Sequence, residues 1–296
     1  MFGSFELRIL LTRTYYFNPY CNHTMRFLFA SVLLVLFSSP IFAQRTHMLS
    51  FGMGTTYYNG DLTDQLNNML FRPAAHIGYT KYFTPHFSYR VGMSYGQIGA
   101  SDTEALERTR RIRNLHFKSN LYEVHGVLIY EFRRDKNFGN EWMSRPFLSP
   151  YVFGGIGFFY FNPKARYDGV WYELQPLGTE GQNIPGNGSP GPYSRLQASV
   201  PFGAGLNIRI SAYAGVSFEL GWRATMTDYL DDVSTNYPDF EQLQQVGGPI
   251  AVALSDRSKN GFAPGDIRGN PGVNDYYLFG SFCITYYLSR YASRGD

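Results

Sequence analysis

Between Leu196 and Trp222 the chain alternates with a period of two for longer than a soluble strand requires, and this constrains the fold more than any other feature. Leu196, Ala198, Val200, Phe202, Ala204, Leu206 and Ile208 take every second place, with Gln197, Ser199, Pro201, Gly203, Gly205, Asn207 and Arg209 between them. After a reversal at 210–212 the pattern resumes, Ala214, Val216, Phe218, Leu220 and Trp222 against Tyr213, Gly215, Ser217, Glu219 and Gly221. Successive side chains of a strand point to opposite faces, so the run predicts a hairpin with one apolar face and one small or polar face. At about 3.3 Å per residue and a tilt of roughly 40°, Leu196 to Ile208 rises about 33 Å, enough to cross the ~25 Å apolar band of an outer-membrane barrel. In hydrocarbon every peptide group must find a partner within the protein, so such strands must close on themselves. Pro201 cannot donate to the ladder, and a bulge is expected there.

The same design recurs along the chain. Strands are expected at His47–Tyr58, Pro73–Phe83, Phe87–Gly96, His116–Phe132 and Tyr276–Leu288. Tyr151–Phe161 is apolar on both faces and dense in Gly and Phe, so its facing cannot be assigned from pattern. With the hairpin these make eight strands. Long loops begin near Asn59, Ile98, Asn162 and Asp228, and short connections lie near Pro85, Arg134 and Ser211. Ala105 to Arg113 has room for a helical turn or two, whereas 162–193 and 228–274 read as loops. The expected fold is all-β: an eight-stranded antiparallel transmembrane β-barrel of the outer-membrane type, with four long extracellular loops and periplasmic short turns and termini.

Composition agrees. Of 296 residues, 18% are aromatic and 17% charged, with 24 Tyr, 25 Phe and 31 Gly, and no spanning apolar run follows residue 43. A mean hydropathy of -0.25 fits a barrel whose lipid-facing residues are diluted by interior polar ones. The net charge of +3 and the absence of a basic run with interleaved aromatics argue against a nucleic-acid partner.

From Met25 the sequence has one basic residue, an apolar core from Phe27 to Phe37, a Ser-Ser-Pro break and Ala43 before Gln44. This reads as a secretory signal peptide over 25–43, preceded by a mis-assigned extension over 1–24 and followed by the barrel domain over 44–296. A membrane-anchor helix is the alternative, but the core is short and ends at Pro40. Removing the signal leaves Cys283 as the sole cysteine, which excludes an intramolecular disulfide.

Several segments carry a resemblance. TYYNGDL (56–62), RPAAHIGYTKYF (72–83), RVGMSYG (90–96), RNLHFKSNLYE (113–123), PYVFGGIGFFYFNPKA (150–165), LQPLGTEGQ (174–182), VPFGAGL (200–206) and TDYLDDVSTNY (227–237) are similar to the PorG-like outer-membrane barrels of Bacteroidetes. LQPLGTEGQ and TDYLDDVS fall in loops, where barrel physics does not dictate residue choice. The resemblance implies a non-catalytic component of the type IX secretion system. Such a component sits in outer-membrane lipid and contacts the periplasmic ring lipoprotein and its partner protein, with no cofactor.

Four groups stand out as candidate sites. Glu219 and Arg223 share the lumen face of one strand, with Arg209 on the next; they read as a polar relay or as ion pairs filling a narrow lumen, and eight strands leave room for little but side chains. Asp228, Asp231 and Asp232, with Asp239 beyond, read as a calcium site, as solvated loop carboxylates or as a cap to the strand end, without EF-type spacing. Arg133, Arg134 and Lys136 occupy an inward-facing turn and read as a partner-binding surface or as solubilising charge. Trp171, Tyr172, Tyr276 and Tyr277 flank strand ends and read as interface-belt aromatics. A lipid-modifying enzyme is the rival class, as is a small-molecule or adhesion barrel. Among His47, His76, His86, His116 and His125 no Ser–His or Asp–His pair falls at diagnostic spacing, and no catalytic residue is assigned.

Overall fold

A computed structural model describes residues 47–63, 71–84, 86–132, 147–186, 191–211, 213–259 and 261–288. The candidate turn with Arg133, Arg134 and Lys136, the signal segment and the extension before it lie outside the described residues.

Eight antiparallel strands close a ring: β1 (His47–Asn59), β2 (Arg72–Tyr82), β3 (Phe87–Ser101), β4 (His116–Glu131), β5 (Phe147–Tyr167), β7 (Leu196–Arg209), β8 (Ala214–Thr225) and β9 (Tyr276–Leu288). Sequential strands are neighbours, and β1 pairs with β9 from His47↔Leu288 to Asn59↔Tyr276, sealing the sheet. The expected eight-stranded antiparallel barrel is therefore the observed fold.

The alternation is obeyed on every wall. Phe51, Ile77, Met93, Leu128, Ile156, Phe202, Phe218 and Ile284 are exposed on the outside, while Ser50, His76, Ser94, Glu123, Ser199, Asn207, Glu219 and Thr285 are buried inside. The ambiguous strand β5 sends Tyr151, Phe153, Phe159 and Phe161 inward and Val152, Ile156, Phe158 and Tyr160 outward. At the closing seam β1 and β9 approach so closely that a Cβ on Gly54 would lie 1.9 Å from the Gly280 carbonyl oxygen. Only glycine fits there.

Three expectations are corrected. Pro201 marks no bulge: Gly154↔Phe202 and Gly157↔Ser199 keep one register, so the ladder to β5 is only interrupted, as a missing N–H requires. The 162–193 segment is not a bare loop, because β5 runs on to Tyr167 and forms a hairpin with β6 (Val170–Glu173) beyond the barrel wall. The 228–274 segment holds helix α2 (Phe240–Ser255), which follows the six-residue helix α1 (Arg108–Arg113) in chain order. Asp239 caps α2 by accepting from the amides of Glu241 and Gln242, and the helix bends at Gly248 (φ 76°) and Pro249.

The short turns Phe83–Phe87 and Ile210–Ala214 lie at the same end as His47 and Leu288. The four long segments meet at the opposite end. There Leu62, Leu115, Leu174, Leu230, Val233 and Leu254 pack with Tyr58, Phe117, Phe161 and Tyr277 of the strands into one hydrophobic core. The long loops thus form a folded dome over one mouth of the barrel.

Candidate functional site

The lumen is filled by charged groups in layers. Near the dome, Glu123 lies 3.3 Å from Arg223 Nε and 2.8 Å from His125 Nδ1, and accepts from the Tyr277 hydroxyl at 2.5 Å. In the middle, Arg90 grips Glu219 with both terminal nitrogens, at 2.7 and 2.9 Å, and Tyr151 donates to the same carboxylate at 2.9 Å. Toward the short turns Tyr82 donates to Glu131 at 2.6 Å, and the Arg209 guanidinium sits 4.6 Å from the Tyr287 ring centre. Buried Arg90, Arg209 and Arg223 thus stand against buried Glu123, Glu131 and Glu219. Burying charge without a partner is costly, so balanced pairing is what permits this interior.

The predicted trio Arg209, Glu219 and Arg223 all face inward, but they occupy three different layers. Positions four apart on a strand are separated by about 13 Å, so Glu219 and Arg223 find their partners across the ring, whereas Arg209 donates locally to the Ser211 carbonyl. Arg90 and Glu123 were missing from the sequence reading because those partners lie on β3 and β4, far away in the chain.

The inner wall also brings Ser94 Oγ within 3.2 Å of His76 Nδ1 and stacks His76 on His125 at 5.5 Å. A Cβ at Gly92 would fall 2.6 Å from His125 Nε2, so glycine is what lets these rings meet. Sequence spacing missed the Ser–His contact because it forms between facing residues of β2 and β3. Both side chains are buried on the inner wall.

The dome is organised by two buried arginines. Arg113 holds Asp102 at 2.7 and 2.8 Å and donates to the Asp61 and Arg268 carbonyls. Arg268 donates to Glu180 at 2.9 Å and to the carbonyls of Asp232 and Ser255. Glu180 in turn accepts from the amides of Ser234 and Thr235 and the Thr235 hydroxyl. Each long loop supplies at least one of these groups.

Asp228, Asp231 and Asp232 of the fourth loop are buried rather than solvated, whereas Asp239 is exposed. Asp232 accepts from Thr179 and Tyr193 hydroxyls at 2.5 and 2.7 Å, and Asp231 from Tyr58 at 2.6 Å and the Val233 amide at 2.9 Å. Asp275 accepts from the Leu230 amide and lies 3.3 Å from the same Tyr58 hydroxyl. Burial pushes Asp228 up to about 7 and Asp232 up to about 6, the latter held down in part by Arg268. Burial also raises Asp231 and Asp275, reinforced by the mutual repulsion of neighbouring carboxylates. Among the described residues no three His, Cys, Asp or Glu side chains are arranged to hold a metal ion. Asp239 caps α2.

Of the belt candidates, Trp171 is half-exposed with the Lys118 ammonium 4.3 Å from its ring centre, whereas Tyr172 packs against the dome core and Tyr277 turns into the lumen to meet Glu123. Cys283 is a free thiol buried on the lumen face. On the dome surface a cleft of about 540 Å³ is lined by Tyr229, Asn236, Pro238, Gln242 and neighbours.

Among solved structures, the chain is similar to the N-terminal barrel domain of Pseudomonas aeruginosa OprF, with 11% identity over 83% of this chain and 98% of that one and a TM-score of 0.34. It is similar to Ail, the attachment invasion locus protein of Yersinia pestis, with 10% identity over 83% and 99% and a TM-score of 0.39. A third similarity is to OprG of Pseudomonas aeruginosa, with 8% identity over 84% and 97% and a TM-score of 0.39. No curated protein matches the chain. Residues 26–173, half of the sequence, match the family described as a domain of unknown function, DUF6089, and the chain belongs to that family.

Proposed function

We propose that this protein is a non-catalytic anchor in the outer membrane, secreted by its signal peptide and serving as a structural component of the type IX secretion system. On this reading it meets the periplasmic ring lipoprotein and its partner through the short-turn end. The observation that carries the anchoring role is the interior itself: buried ion pairs bridge the lumen and a folded dome stands at one mouth. Such an interior supports a rigid membrane post rather than a pore. The apolar outer face, contributed by every strand, supports the placement in lipid.

The secretion role rests on the resemblance. Two of its loop segments, 174–182 and 227–237, supply Thr179, Glu180, Asp231 and Asp232 to the buried dome network, which gives a physical reason for their specific composition. A lipid-modifying enzyme is less well supported, because His76 and Ser94 meet inside the packed barrel. The dome cleft favours one second reading, a barrel that takes a small ligand at the outer surface.

Mild detergent extraction followed by crosslinking and mass spectrometry tests the anchoring role. Crosslinks from the short-turn end to the periplasmic ring proteins are expected, weakened when Arg133, Arg134 and Lys136 are reversed to Glu. Crosslinks confined to other partners, with the ring proteins absent, would refute the secretion assignment.

A further inference from the structure

At the foot of the dome, α1 and the segment after α2 enclose a cleft of about 380 Å³ lined by Arg111, Ile112, Asn114, Arg257 and Lys259. Three of its five lining residues are cations and, among the described residues, none is a carboxylate. They come from loops more than a hundred positions apart, so folding of the dome is what brings the charges together.

Two of the cations are held in place. Arg111 is tied by one terminal nitrogen to the carbonyls of Ala105 and Leu106, at 2.7 and 2.6 Å. Arg257 donates to the Arg166 carbonyl at 2.9 Å, while its Nε is buried without a hydrogen-bond partner. Among the described residues, Asp102 of the same loop as Arg111 holds Arg113, and Asp256 beside Arg257 accepts from the amides of Ser258 and Phe262. Burial lowers the Arg257 guanidinium from its usual value. A half-buried cation with an orphaned donor and, among the described residues, no ion-pair partner is suited to completion by an anion.

We propose that this cleft is an oxyanion site that binds a phosphate group, with Arg111, Arg257 and Lys259 supplying charge and directed donors. Guanidinium groups match phosphate oxygens in geometry, and the ammonium adds a mobile point charge. The phosphate belongs either to a glycolipid headgroup of the surrounding leaflet or to a soluble ligand, and the site lies outside the anchoring role assigned above.

The test uses the full chain purified in detergent. In one arm, inorganic phosphate is titrated by calorimetry at low and high salt. In the other, native mass spectrometry counts phosphorylated glycolipid retained from the membrane. Arg257→Gln or Arg111→Gln is expected to weaken binding about tenfold, and the triple variant R111Q/R257Q/K259Q to abolish it, with high salt weakening the parent. Retained glycolipid without binding of free phosphate assigns the leaflet as source, and the converse assigns a soluble ligand. Heat-modified gel migration verifies that each variant keeps its barrel. Binding of neither probe, undiminished binding by the triple variant, or equal weakening by Arg108→Gln on the same helix but outside the cleft would overturn the site.

Discussion

Arg268→Met should open the dome without opening the barrel. Arg268 is 2% exposed and holds Glu180, itself 6% exposed, at 2.9 Å, while donating to the Asp232 and Ser255 carbonyls. Removing one member of a buried pair leaves an uncompensated charge, which costs about 3–5 kcal/mol. At about 1.4 kcal/mol per decade, that is roughly a 100- to 4,000-fold rise in the open population of the dome. The strand ladders do not use Arg268, so heat-modified gel migration of the barrel should be unchanged. Limited proteolysis should cut within 226–275 at a rate that rises by the same factor, in the regime where opening is fast relative to cleavage. The double variant Glu180→Gln/Arg268→Met should recover part of the loss, because the amide still accepts from Ser234 and Thr235 and no charge remains at position 180 to be stranded. Unchanged cleavage in Arg268→Met, or a double variant as labile as the single one, would refute the argument that this pair clamps the loops.

Other outcomes follow from the same geometry. Glu219→Ala strands the bidentate Arg90 in the lumen and should lower barrel stability by about 3–5 kcal/mol, read as a lower urea midpoint of unfolding in detergent. Gly54→Val places side-chain atoms where the Gly280 carbonyl lies, so the seam should fail to close and the heat-modifiable band should disappear. The dome should resist protease better at pH 5 than at pH 8. Asp228 and Asp232 rise to about 7 and about 6 from an ordinary 3.8, so folding favours their protonated forms. That contribution is complete below the ordinary value and is lost as pH climbs through the raised ones. Asp228→Asn should flatten the profile around neutral pH.

The barrel was legible because lipid outside and packed side chains inside impose opposite demands on alternate residues. Where both demands select apolar groups the signal vanishes: on β5, Phe153, Phe159 and Phe161 face inward as aromatic filler while Ile156 and Phe158 face out. Helix α2 was missed because Gly247, Gly248 and Pro249 punctuate it, and a kinked helix reads locally like a loop. The dome network has no local signature at all, since Glu180 and Arg268 stand 88 positions apart. One clue was present: Leu230, Val233, Leu243 and Leu254 are more greasy residues than a solvated loop needs, and all four are buried. Asp231 and Asp232 were misread as wet because charge was taken to mean exposure, when backbone amides and tyrosine hydroxyls can satisfy a sheltered carboxylate.

The pairing of His47 with Leu288 makes assembly an all-or-none event. Until the strand beginning at Tyr276 has been delivered, β1 and β8 each present a row of bare amides and carbonyls to hydrocarbon, and neither can be quenched by water. A chain interrupted upstream of that strand is therefore an open ribbon with two sticky borders. Both borders stay unquenched until the first and last strands zip together.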